Sequence, residues 1–279
     1  MLQWSFSLLH YLYKMEYTGN LQKMRTELAL PVRYFLKFGE EEICMNDYLG
    51  KHISMEFTNE IYCVKCGRIT KKSFAQGFCY PCFTTAPETE ECVLKPELCR
   101  AHEGIARDME YAQSHCLIDQ FVYLALTSGI KVGVTRSTQI PTRWIDQGAI
   151  QAIKLAKTPN RFTAGQIEVA LKEFMADKTN WRHMLTGTIA AERTLAEVKS
   201  EAIDNLDEEF ESYIQWDDEI TEINYPVLNY PQKVVSLNLD KTPEVGGILT
   251  GIKGQYLMFD ERAVINIRKY SGYKVVFRF

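Results

Sequence analysis

The chain has no apolar run approaching the ~18–20 residues that a membrane span needs, so no membrane is expected as a partner. Its start, "MLQWSFSLLHYLYK", lacks the basic region and small-residue cleavage site of a secretion signal, and Met15 can equally be the start, leaving 1–14 as an upstream extension. A cytoplasmic location is therefore expected. An excess of basic charge is also missing. With 32 Lys and Arg against 36 Asp and Glu, the net charge of −4 excludes a globally basic nucleic-acid binder, though not a locally basic face. No G-x-S-x-G, Walker loop or dinucleotide fingerprint occurs, which leaves acyl transfer and nucleotide hydrolysis without an anchor.

Cysteine, by contrast, is concentrated. Seven of the eight fall between 63 and 116, and in a large chain without a secretion signal such clustering points to metal thiolates rather than disulfides. Cys44 stands apart and reads as a small buried hydrophobe. In "CVKCGRITKKSFAQGFCYPC" two Cys-x-x-Cys turns stand twelve residues apart, flanked by Gly67 and Gly77. Each turn brings two thiolates to one ion, and two turns fill the tetrahedral shell of zinc. Cys63, Cys66, Cys79 and Cys82 therefore read as a zinc ribbon. A shell filled by protein leaves no place for water, so this zinc is structural, although Arg68, Lys71 and Lys72 are available to a phosphate backbone. Cys92, Cys99 and His102, completed by Cys116 or His115, form a candidate second zinc site of irregular spacing. Buried thiols beside surface histidines are its competing reading.

The expected fold class is α+β. An N-terminal β-rich segment (1–58) precedes a zinc-binding region (59–116) and a mixed α/β core (117–200). An acidic helix and linker (201–245) and a C-terminal β-rich segment (246–279) follow. Tyr34, Ile43, Tyr48, Gly50 and Phe57 match Tyr256, Ile265, Tyr270, Gly272 and Phe279 at a constant offset of 222. Duplicated half-barrels closing around the chain ends and two unrelated meanders both fit that repeat. From Glu197 to Glu222 eleven carboxylates face one lysine, usually a solvated surface, alternatively a cover over a basic site.

In the core, "FVYLAL", a Ser128-Gly129 turn, "KVGVT" and "AIQAIKLA" predict three antiparallel strands, with Arg143 and Trp144 on a short helix after Pro141. Thr163 and Gln166 suggest a capping box, and Ile167, Ala170, Leu171 and Phe174 a buried stripe with Glu168 at its border. Asn180 suits a helix cap. Residues 186–213 read as helix. Six basic residues (Lys131, Arg136, Arg143, Lys154, Lys157, Arg161) against Asp146 give residues 121–165 a local charge of +5.

The order over 121–185, strand with Tyr, hairpin, strand with Gly, helix with Arg and later helix with Glu, resembles the GIY-YIG nuclease core. "VYL" looks like the first signature and "KVG" like the second. The resemblance implies a small antiparallel sheet with helices and a divalent-metal-dependent phosphodiesterase acting on DNA or RNA. Tyr123 would help deliver the nucleophile, Arg143 would neutralise the phosphate, and Glu168 would hold Mg or Mn. Lys131 replaces the second signature tyrosine and would serve as base or as phosphate contact. The substitution equally fits a non-catalytic nucleic-acid or ribonucleoprotein binding module. The two cysteine pairs, "VTRSTQIPTRWIDQGA" and "DKTNW" together resemble an uncharacterised bacterial zinc-ribbon family.

Overall fold

The computed structural model describes residues 16–279; the N-terminal fifteen, with the alternative start at Met15, lie outside the described residues. Five strands come first: β1 (Glu16–Asn20), β2 (Arg25–Glu27), β3 (Arg33–Phe38), β4 (Glu41–Cys44) and β5 (His52–Ile61). The cysteine region carries α1 (Tyr80–Thr85), several 3₁₀ turns and α2 (Met109–His115). The central region holds β6 (Gln120–Leu126), β7 (Ile130–Arg136), α3 (Thr142–Asp146), β8 (Gln151–Thr158), α4 (Arg161–Lys172), α5 (Trp181–Thr186) and α6 (Leu195–Asp204). The chain then closes with β9 (Ile220–Glu222), β10 (Val235–Ser236), β11 (Glu244–Lys253), β12 (Tyr256–Phe259), β13 (Ala263–Asn266) and β14 (Tyr273–Arg278). Among the described residues this is a mixed α+β architecture with three sheets and short helices.

The two ends build one β body. β14 lies between β1 and β5, and β5 also pairs with β11, which continues into β12, β13 and β10. The faint repeat has a structural counterpart. β4 and its following 3₁₀ turn (Met45–Tyr48) recur 222 residues later as β13 and a turn at Ile267–Tyr270, and β3 and β5 correspond to β12 and β14. Met55 pairs with Phe277, its own equivalent at that offset, and Ser54↔Arg278 mirrors Glu56↔Val276. The two halves are thus related by a local twofold axis through the β5·β14 ladder. Alternating side chains of both halves, including Tyr34, Leu36, Ile53, Met55, Leu257, Ile265, Val275 and Phe277, fill the shared core.

In the central region β6 is flanked by β7 and β8, both antiparallel, and β9 extends the β8 edge. One face of β6, carrying Val122 and Leu124, packs with Ala164, Ile167 and Leu171 of α4 and with α6. The other, carrying Tyr123 and Ala125, joins Trp144 and Ile145 of α3 in the core shared with the β body. Period-two alternation thus sends Tyr123 away from α4's apolar stripe.

Several local expectations need correction. The α4 cap is Asn160, whose side chain accepts from Thr163 N–H at 2.9 Å, because the Asx oxygen reaches one turn ahead of the expected Thr163–Gln166 box. Phe174 is exposed, since α4 ends at Lys172 before the stripe reaches it. Residues 186–213 are not one helix: Gly187 at φ +71° ends α5, Thr194 caps α6, and a 3₁₀ turn follows at Glu208–Tyr213. The 201–245 stretch also contributes β9 and β10. Cys44 is half-buried rather than buried. Asn180 does cap α5, accepting from the Arg182 and His183 amides. Among the described residues no helix is long and apolar enough to cross a membrane.

Candidate functional site

Cys63, Cys66, Cys79 and Cys82 bring their sulfurs within 4.8 Å of one another. Gly67, at φ +72°, permits the tight turn after the first pair, and Ala75, Gln76 and Gly77 all take positive φ before the second. Backbone amides aim at sulfur: Cys79 N–H donates to Cys63 Sγ at 3.2 Å. Burial raises the Cys63 thiol, but donors from Cys79, Cys66 and Lys65 outweigh it and lower it to about 6. The ribbon leans on the β body, where Tyr62 N–H bonds Gly272 O at 2.7 Å. Arg68, Lys71 and Lys72 are exposed.

Cys92, Cys99 and Cys116 form a second group within the same distance, all three buried. These cysteine clusters can bind zinc. Neither histidine joins the second one. His102 stacks on Phe162, ring centroids 4.4 Å apart, and His115 stacks on Tyr111 with Nδ1 engaged by Ser114. Instead the start of α4 closes over the cluster: Arg161 N–H donates to Cys116 O, and its guanidinium lies 3.8 Å from Cys92 Sγ. The 3₁₀ turn at Pro96–Leu98 lies flat on α4 at Gly165, where a methyl group would fall 2.2 Å from Glu97 N. The cysteine loop therefore braces the helix that carries Glu168.

Tyr123, Lys131, Arg143 and Glu168 come together although they belong to four elements. Tyr123 pairs directly with Gly133, and a side chain there would meet its hydroxyl at 2.7 Å, so the glycine of "KVG" makes room for the tyrosine of "VYL". That hydroxyl is fully buried beside Arg143 and Gln147 without a well-formed hydrogen bond. Its pKa is raised by burial, with Arg143 and Gln147 opposing. Lys131 is lowered to about 8, first by burial and then by the Arg143 charge. Glu168 is raised by burial, with Lys172, 3.2 Å away, pulling the other way. Tyr123 and Lys131, both displaced from their ordinary ranges, thus sense the Arg143 guanidinium and the Glu168 charge together.

The basic stretch, in contrast, is not one face. Lys154 and Lys157 pair with Glu219 and Asp119, while Arg136 and Arg161 sit beside the second cysteine group, leaving Lys131 and Arg143 at the cleft. The acidic run covers the β8 edge through β9, with Lys199 buried against Asp217 and Asp218.

A family model described as "Protein of unknown function (DUF2797)" matches residues 50–275. The chain belongs to that family. No curated protein and no solved structure matches it. The DUF2797 span takes in both cysteine centres, the cleft and the C-terminal half of the β body, and leaves out β1–β4.

Within that span, sequence reasoning missed Glu97, Gln147 and Arg268. Glu97 has a carboxylate oxygen buried without a partner, and its charge raises Glu168. Gln147, one turn after Arg143, also buries an unpaired oxygen. A helical i, i+4 step from Arg143 was signal enough for Gln147; nothing local pointed to the other two.

Proposed function

We propose that the chain cleaves phosphodiester bonds of DNA or RNA with a divalent cation. The observation that carries the reading is the meeting of Tyr123, Lys131, Arg143 and Glu168 at one desolvated site. The strand order supports it: a hairpin whose first strand is central, a third strand antiparallel to it, then a helix bearing the glutamate, as in the GIY-YIG core.

In this reading the Arg143 guanidinium grips the scissile phosphate and neutralises it. Lys131, held near pKa 8, has enough neutral amine at pH 7–8 to accept a proton from the attacking water. The water oxygen bonds to phosphorus, the bond to the leaving sugar oxygen breaks, and that oxygen takes a proton from solvent. Tyr123, kept protonated by burial, orients the water through its hydroxyl. Glu168 and Glu97 would hold Mg²⁺ or Mn²⁺; the unpartnered Glu97 oxygen beside a carboxyl raised by burial fits a hard cation. When bound, such an ion supplies positive charge to the phosphate oxygens.

A non-catalytic nucleic-acid binding module is the second reading. The Lys172 contact to Glu168 and the lysine in place of a tyrosine favour it.

Purified chain with labelled DNA and RNA oligonucleotides and Mg²⁺ or Mn²⁺ decides between them. Cleavage should disappear in Glu168→Ala and in Lys131→Met, with binding retained in the latter. The wild-type rate should rise about tenfold per pH unit up to ~8, where Lys131 becomes neutral, and then level off. Equal cleavage by Glu168→Ala would mark the activity as a contaminant. Oligonucleotide binding without turnover would leave the second reading.

A further inference from the structure

A cavity of about 620 Å³ opens between the cysteine ribbon and the β body. Its walls include Phe78 of the ribbon and Tyr62 where the ribbon meets the sheet. Two cations line it, Lys23 and Arg268. Lys23 is spent on Asp146, whose other oxygen accepts from Gln255 Nε2 at 2.8 Å.

Arg268 is different. It is half-buried, and no hydrogen bond, ion pair or ring contact joins its guanidinium to another described residue. Burial disfavours its charge; Asp146, the carboxylate it senses, is already doubly engaged. Glu88 is the one carboxylate among the described lining residues; its Oε1 is bonded to Lys65 Nζ at 2.6 Å, and its Oε2 is buried without a hydrogen-bond partner, Arg268 included. A partly desolvated guanidinium facing an open cavity without a counter-ion is a site for an anion that presents two oxygens to its fork, as a phosphate does. Arg268 also feels the charge of Arg143, three residues before Asp146 on α3, so one short helix carries side chains close to both the cavity and the cleft.

We propose that this cavity receives a nucleotide unit of a single-stranded nucleic acid, its phosphate on Arg268 and its base against Phe78 and Tyr62. The volume suits a small ligand (pockets run ~300–1,000 Å³) and not a duplex. Rings and a cation lining one cavity are the combination by which proteins hold single strands. The exposed amides of Gln22 and Gln76 at the rim are free to meet base edges. The inference rests on the nucleic-acid reading above and gives it a strand type: the strand enters past the ribbon and runs on toward Arg143.

Fluorescence anisotropy of the full zinc-loaded chain with labelled ten-residue single-stranded DNA, single-stranded RNA and duplex DNA tests it. Both single strands should bind more tightly than the duplex, and the tighter of the two names the substrate. Arg268→Ala should weaken single-strand binding about tenfold or more and flatten the salt dependence by about one unit, with Arg268→Lys intermediate. Zinc content and Tm should be those of the unaltered chain. Should Arg268→Ala fold poorly, photo-crosslinking of a halogenated-base oligonucleotide to the unaltered chain decides, with adducts expected at Phe78 or Tyr62. Unchanged affinity in a folded Arg268→Ala, adducts confined to other surfaces, or preference for duplex would overturn the proposal. Cleavage lost in Glu168→Ala yet unchanged in Arg268→Ala would reject the cavity and keep the phosphodiesterase. Arg268-dependent binding without any cleavage would do the reverse.

Discussion

The two cysteine centres gather sulfurs able to ligate a metal by different means. In the ribbon, backbone geometry does the work: two turns, residues at positive φ and amides aimed at sulfur gather four ligands in twenty residues. Cys66 is exposed there. In the second centre three fully buried thiols from irregular turns are gathered by packing against α4, and Arg161 covers them. The first centre is a clamp complete in itself and joined to the β body. The second is part of the wall that sets where Glu168 stands. Regular ligand spacing therefore marked the self-sufficient site, and irregular spacing marked the one tied to the cleft.

The difference is most sharply broken at the ribbon. Cys79→Ser should remove one zinc equivalent and make residues 62–86 protease-sensitive, because binding a structural zinc is the folding energy of such a knuckle, on the order of 10 kcal/mol. The β body should persist, since its core lies elsewhere. Elemental analysis with limited proteolysis reads both effects. Retention of all zinc would mean that three sulfurs suffice there too.

Cys99→Ser should act less on the cysteine loop than on its neighbour. Zinc should fall from about two equivalents to one, and hydrogen exchange should speed up across 161–172. A zinc loss without any change in α4 would show that the loop does not brace the helix.

These contrasts also explain what the sequence made legible. Period-two and turn signals picked out β3, β5, β12, β13 and β14 but not β1, β2 or β10, and one fixed offset raised the internal symmetry, because pairing register preserves residue numbers. The capping position on α4 was missed since Asn160 and Thr163 offer equally good oxygens, and tertiary contacts choose between them. Tyr123, Lys131, Arg143 and Glu168 were singled out through their order in the chain. Glu97 and Arg268 were not, because each reaches its place from a distant segment, one on the cysteine loop and one in the last turn of the β body. The basic stretch misled for the same reason. Sequence adjacency says nothing about which carboxylates, such as Asp119 and Glu219, fold back onto Lys157 and Lys154.

Gly165→Ala probes the brace without touching a cysteine. The added methyl would meet Glu97 N at 2.2 Å and Pro96 C at 2.4 Å, both backbone atoms that cannot swing aside. Overpacking of this kind costs about 1–3 kcal/mol, and it should lower Tm while leaving both zinc equivalents in place. The displaced turn carries Glu97, so Mg²⁺-dependent cleavage should fall further than stability does. An unchanged Tm would show that the turn yields freely and braces nothing.

The smallest effect is expected at His102, and it bears directly on how the second centre is completed. The Cys99-x-x-His102 spacing offers a ligand, yet the ring lies against Phe162 rather than among the sulfurs. If packing alone gathers this centre, His102→Ala should cost about 1 kcal/mol of ring stacking and leave the metal content unchanged. His102→Phe should then recover the lost stability, because it restores the stack without a nitrogen. Loss of one zinc equivalent in both variants would instead make His102 the fourth ligand. The second centre would then share the ribbon's logic of a shell filled by side chains close in sequence, and Phe162 would be the surface on which the ring waits for the ion.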